Sequence, residues 1–204
     1  MATDQLTATL IGGPTVLIEI GGFRVLTDPT FDPPGSYEAR GIVLTKQTSP
    51  AITPSELGRV DLVVLSHDQH FDNFDRAGRT FLANASSVIT TEAGAARLSN
   101  GTIGLLPWAS TEIPLPGGRV LQVTATPARH GPVGIEPISG DVIGFVLQIG
   151  AAYAFPNAKI IAVHNEGWAH FTQTQEDLAK AFTTLGLNGR LQLLERGVPR
   201  SLVL

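Results

Sequence analysis

Through the first third of the chain, apolar residues recur in short runs broken by glycine and proline. Residues 6–11 and Thr15–Ile20 flank Gly12-Gly13-Pro14, and Gly21-Gly22 leads into Phe23–Thr27, a pattern that predicts consecutive antiparallel hairpins. Residues 28–35 hold Pro29, Pro33 and Pro34, which remove ladder donors and restrict their predecessors, so a loop is expected there. A polar stretch follows, with a short capped turn at Thr53-Pro54-Ser55-Glu56.

Residues 60–65 are almost continuously apolar, as in a strand covered on both faces. They end in the polar run 66–75, whose last member, Asp75, predicts the N-cap of a helix reaching about residue 83. Further strands are predicted at 87–91, 119–126, 142–149 and 159–163, and a short helix at 93–98. The clearest helical period spans 175–185, with Thr174 before it, Leu178, Ala181, Phe182 and Leu185 on one stripe, and Gly186 after it. Two batches of strands with interspersed helices predict an α/β or α+β sandwich.

Composition narrows the chemistry. With 204 residues, 43% hydrophobic and 16% charged, the chain can bury a core and is expected to form one domain over residues 1–204. The absence of cysteine excludes disulfide scaffolds, thiolate metal sites and thiol catalysis. A formal net charge of -4 supplies no general attraction to nucleic acid or anionic membrane, so neither is an expected partner. The first residues lack the basic and apolar segments of a secretory leader, and no run approaches membrane-spanning length, so a cytoplasmic location is expected.

Four of the five histidines, His67, His70, His130 and His164, follow strand-like runs directly or within a few residues. Polar residues at the ends of buried strands are where open sheets build sites. Neutral imidazole suits borderline divalent ions, and in a cysteine-free chain the other donors are carboxylates, of which Asp68, Asp72 and Asp75 share the first cluster. A single such histidine is commonly a hydrogen-bonded loop residue, and Asp72 or Asp75 alone a turn former or cap. The combined pattern predicts a metal. His170, in Trp168-Ala169-His170-Phe171, is either a substrate-facing or metal-supporting residue or a packed one.

The run Ser66-His67-Asp68-Gln69-His70-Phe71-Asp72-Asn73-Phe74-Asp75 resembles the His-x-His-x-Asp-His signature of the metallo-β-lactamase superfamily. It is similar to the ascorbate-6-phosphate lactonase-like branch, with one extra residue between the histidines and Asn in place of the last one. Further matches are Leu26-Thr27-Asp28-Pro29, Thr126-Pro127-Ala128-Arg129-His130 and the segment from Val163-His164-Asn165 to Phe171. The resemblance implies a four-layer αββα sandwich with a metal site at one edge. It implies His67, His70 and His130 at a first ion, and Asp72 and His164 at a second. Whether His67 or Asp68 takes the first position stays open, as does the role of Asn73. Asp28, Asp75 and His170 are candidates for ligation or for orienting the ligands.

The family also carries a bridging carboxylate before the last histidine, and no Asp or Glu occurs between Val142 and Lys159. Asp141 precedes a strand in an ordinary turn position and is set aside, so a segment near residues 150–152 is expected to be missing. The resemblance implies a hydrolase using metal-bound hydroxide on a lactone or related ester, with Asp72 and His164 as catalytic groups and one or two Zn ions, or Mn or Fe, as cofactor. Alternatives are a phosphodiesterase on the same fold, and a non-catalytic metal-binding protein lacking the bridging carboxylate. The expected partner is a small-molecule substrate. Homo-oligomer formation is open.

Overall fold

The computed structural model describes residues 6–39, 41–131, 134, 139–149, 159–171 and 174–202. Strands β1 (Leu6–Gly12), β2 (Thr15–Ile20) and β3 (Phe23–Thr27) form the meander that glycine punctuation predicted. Gly13, at φ 55°, makes the left-handed turn that a side-chain-bearing residue would resist. The following loop delivers Asp28 and then opens into a hairpin of β4 (Gly35–Ala39) and β5 (Ile42–Lys46). The apolar pattern left this hairpin unassigned: its buried anchor is Tyr37, while Val43 in the aliphatic run of β5 is exposed.

The next elements alternate. Helix α1 (Pro54–Leu57) carries the predicted capping box, Thr53 and Glu56 satisfying each other's backbone amides. Then come β6 (Val60–Val64), α2 (Arg76–Phe81) capped by the Asp75 carboxylate, β7 (Ala85–Thr91), α3 (Glu92–Leu98) capped by Thr91, and β8 (Ile103–Leu105). Because β3, β6, β7 and β8 pair in parallel, their C-terminal ends share one edge. A second sheet is antiparallel, with β10 (Val120–Pro127) between β9 (Ser110–Pro114) and β11 (Ile143–Ile149). The short β12 (Ile160–Ile161) pairs with β13 (Leu191–Gln192), and β14 (Arg200–Leu202) completes the large sheet in the order β14-β1-β2-β3-β6-β7-β8.

Strand periodicity sorts the core into two layers. On one face Phe23, Val25, Leu62, Val64, Ile89 and Leu105 meet Ile113, Leu121, Val123, Ala125 and Ile143 of the second sheet. On the other face Leu26, Val63 and Leu65 meet Leu57, Phe74 and Phe81 of the helical side. The result is the mixed α/β architecture expected, a large mixed sheet with few helices. Helix α4 (Gln175–Thr184) follows the predicted period but buries little, and Leu185 just beyond it is 69% exposed. Residues 150–152 lie outside those described. Among the described residues no helix is long and apolar enough to cross a membrane.

Candidate metal centre

Parallel pairing puts Asp28 after β3, the run Ser66 to Asp75 after β6 and Thr91 at the end of β7 at one edge, and β10 delivers His130 to the same place. There His67, His70 and His130 converge: one ring nitrogen of each lies within 4.8 Å of the others. The ring centroids of His67 and His130 are 4.5 Å apart, and those of His70 and His130 are 4.6 Å apart. His67 is 96% buried, with 4% of its surface exposed.

Hydrogen bonding fixes how these rings present themselves. The Ser66 hydroxyl donates to Asn73 Oδ1 at 3.4 Å, so its oxygen accepts the Nδ1–H of His67 at 3.0 Å. The backbone carbonyl of Ser139 accepts from His130 Nδ1 at 3.2 Å. Both contacts place the lone pair on Nε2, the arrangement that metal-binding histidines adopt. Nε2 of His67 is buried without a hydrogen-bond partner. Burial, and then the neighbouring imidazoles of His130 and His70, lower the pKa of His67 to about 3, so the ring is a neutral donor. An orphaned ring nitrogen facing two further imidazoles fits a borderline divalent cation.

Beside this cradle, Oδ2 of Asp72 lies 3.1 Å from Nε2 of His170 and 3.7 Å from Nε2 of His164. His164 holds φ 63°, an uncommon conformation for a side-chain-bearing residue, and its amide is tied to Gly13 O at 2.8 Å. Burial lowers the His164 pKa, while the Asp72 charge opposes the shift. His164 and His170 both pack against the ring of Phe171, at 5.0 and 4.6 Å. A cavity of about 640 Å³ borders Phe171, lined by Asn165, Glu166, Trp168, Leu194 and Arg196, so it adjoins the His164 loop and not the three-histidine cradle. Trp168 itself is a core residue, 3% exposed and packed on Tyr37.

The remaining candidates face elsewhere. Asp68 is buried, and Arg97 grips both its carboxylate oxygens, Nε at 2.9 and 3.1 Å and Nη2 at 2.6 Å, which turns it from the imidazoles. Asn73 spends its amide on Asp28 Oδ1 (3.1 Å) and the His67 carbonyl (2.8 Å), so it supports the loop beneath His67. Asp28 and Asp75 were expected to accept histidine ring protons, and neither does. Asp28 accepts from the Ser66 amide at 2.6 Å, and burial raises its pKa to about 7. Asp75 caps α2 through Gly78 N and binds the Asp32 amide and the buried Lys46 ammonium. Asp141, set aside as a ligand, accepts from Gln69 at 2.9 Å. Ser66, Arg97 and Ser139 were not picked out from the sequence. Their contacts are a hydroxyl, a pairing 29 residues distant and a backbone carbonyl, none of which leaves a pattern.

The fold is shared with known proteins. The structure is similar to an isothiocyanate hydrolase from Delia radicum gut bacteria (TM-score 0.69, 18% identity, covering 95% of this chain and 98% of that one). It is also similar to a possible metal-dependent hydrolase from Veillonella parvula (0.72, 17%, 98% and 100%) and to a metallo hydrolase from the archaeon Ignicoccus hospitalis (0.66, 14%, 98% and 99%). These identities establish a shared fold. No curated protein sequence matches the chain. The family model described as beta-lactamase superfamily domain matches residues 23–156, two thirds of the sequence, and the chain belongs to that family, within the metallo-β-lactamase superfamily.

Proposed function

We propose that the chain is a metal-dependent hydrolase of a lactone or related ester, on the lactonase-like side of its superfamily. The observation that carries this reading is the convergence of three imidazole nitrogens within 4.8 Å, one of them buried without a partner. His67, His70 and His130 would hold the ion, with the tautomers of His67 and His130 set by Ser66 and Ser139. A divalent ion in such a cradle lowers the pKa of bound water from 15.7 toward about 7 and polarises the oxygen of an attacked carbonyl. A second ion would draw on Asp72 and His164, and Zn, Mn and Fe all suit these donors. Among the described residues the three histidines are the one group preassembled at ligand spacing, which favours a single resident ion.

The chain's own residues would do the rest. Asp72 Oδ2 is the carboxylate oxygen beside the imidazole pair, placed to orient a water and accept its proton. His170, 39% exposed at its side chain, would pass that proton to the departing oxygen, and His164 would sit opposite as a neutral donor. A phosphorylated lactone would need an anion pocket, and Lys46 cannot supply one, since its ammonium is buried against Asp75.

The test is metal content of the purified protein together with turnover of a panel: simple lactones, aryl esters, a phosphodiester and an isothiocyanate. Lactone or ester hydrolysis that a chelator abolishes and Zn, Mn or Fe restores is the expected result. Bound metal with no turnover of any member would leave a non-catalytic metal-binding protein, and phosphodiester turnover alone would move the substrate class.

A further inference from the structure

Asp68 sits between two of the cradle's histidines, with a carboxylate 4% exposed, and it is held by two arginines. Arg97, in the last turn of α3, supplies a fork of Nε and Nη2 that meets both carboxylate oxygens. Arg79 of α2 donates to the Asp68 backbone carbonyl and stacks over Phe74 at 4.5 Å. Nη2 of Arg97 also lies 3.4 Å from Asp141 Oδ1. That same Asp141 oxygen receives Gln69 Nε2 at 2.9 Å, so Gln69 binds the second loop directly. Ile143 N donates to the Ser66 carbonyl at 3.1 Å, and the Ser139 carbonyl fixes His130. Two chain segments, 66–70 and 139–143, thus carry or orient all three imidazoles, and Arg97 is the side chain bonded to both.

We propose that Arg97 is a positioning residue for the metal cradle: by gripping Asp68 and Asp141 it fixes the His67–His70 loop against the loop that orients His130, and so sets the spacing of the three ring nitrogens. The inference rests on the functional reading above, because it concerns the same ion. It goes beyond that reading by assigning ligand geometry to an arginine that touches none of the ligands. The grip requires a guanidinium. A lysine ammonium is a point charge and cannot meet two carboxylate oxygens in one plane while reaching a second acid.

Arg97→Met alone leaves a buried unpaired carboxylate and destabilises the fold for that reason. The informative variants are Arg97→Met/Asp68→Asn, which removes grip and charge together, and Arg97→Lys, which keeps the charge. The probe is Co²⁺ alone, titrated into metal-free protein well below its melting temperature and read by its visible absorption bands. The expected result is a 10- to 100-fold loss of Co²⁺ affinity in the double variant, the size typical for outer supports of metal ligands, with an altered band shape. Arg97→Lys should lose less affinity but show the same altered bands. Wild-type affinity and bands in the double variant would overturn the proposal while leaving the hydrolase reading intact. Failure of the wild-type chain to take up Co²⁺ would overturn both.

Discussion

Asn73 Nδ2 donates to Asp28 Oδ1 at 3.1 Å, and the amide of Ser66 donates to the same oxygen at 2.6 Å, so the acid after β3 anchors the loop that carries His67. Burial dominates over these bonds and raises the Asp28 pKa to about 7. The folded chain therefore keeps the Asp28 proton between pH 3.8 and 7, where the unfolded chain has released it. The contribution of Asp28 to stability is fully present below pH 3.8 and is lost as pH rises through 7. Asn at this position mimics the protonated acid. The stability of Asp28→Asn relative to wild type should climb across this window and level off above it, at about 1.4 kcal/mol per unit of pKa shift. Urea midpoints at pH 4, 5.5 and 7.5 measure the climb. His67 works in the opposite direction in metal-free protein: its pKa is lowered, so its contribution is present above pH 6.5 and is lost as pH falls toward 3. A constant difference between the two proteins across pH would show that Asp28 is ionised throughout.

Lys46 Nζ meets Asp75 Oδ2 at 3.2 Å, with side-chain exposures of 6% and 1%. Burial lowers the lysine pKa, and the Asp75 charge counters it. Replacing Lys46 with Met leaves a carboxylate in the core with only the amides of Gly78 and Asp32 to hold its charge. A loss of about 3 kcal/mol is expected, the lower end for breaking a buried pair because those two amides remain. Lys46→Met/Asp75→Asn should recover part of it, since the charge is removed while the Asn oxygen still accepts. Equilibrium denaturation of wild type, Lys46→Met, Asp75→Asn and the double variant gives the coupling, and additive effects would mean the pair is not coupled.

Gly78 lies where α2 crosses the loop after β3. A Cβ there would stand 1.9 Å from the carbonyl oxygen of Pro29, a backbone atom that cannot rotate aside. Gly78→Ala should therefore cost about 3 kcal/mol, at the upper end for overpacking, although alanine ordinarily favours a helix. The displaced loop is the one that delivers Asp28, so loss of Co²⁺ affinity should accompany the lowered melting temperature. A stabilised variant would show that the helix and loop can separate at little cost.

How far these features could be read from sequence depends on how local their causes are. The meander β1 to β3, the capping box at Thr53 and the Asp75 cap rest on neighbours a few residues apart, and their patterns are visible in the chain. Strands β8 and β9 lack that advantage: each is short, and its apolar positions become meaningful only against the opposite sheet. At the site, the histidines are legible because strand ends place them. The roles of Asp68 and Asn73 are not, because a carboxylate next to a histidine looks the same whether it faces an ion or an arginine 29 residues away. Asp68 is paired with Arg97, a contact that the local pattern around His67 does not reveal.

The pairing of His170 with Asp72 supplies the sharpest catalytic prediction. The two groups lie 3.1 Å apart and the His170 side chain is 39% exposed, so it is accessible, as proton transfer to a leaving group requires. If His170 moves a proton, His170→Ala should keep the metal affinity of wild type while turnover of a lactone falls by about 10²- to 10⁴-fold. Activated aryl esters, whose leaving groups depart without protonation, should lose much less. If His170 instead ligates a second ion, metal stoichiometry should drop and both substrates should suffer alike. Measuring bound metal and both rates on one preparation separates these outcomes. Asp72→Asn should depress both rates in either case, because Asp72 Oδ2 is the acceptor that both arrangements share.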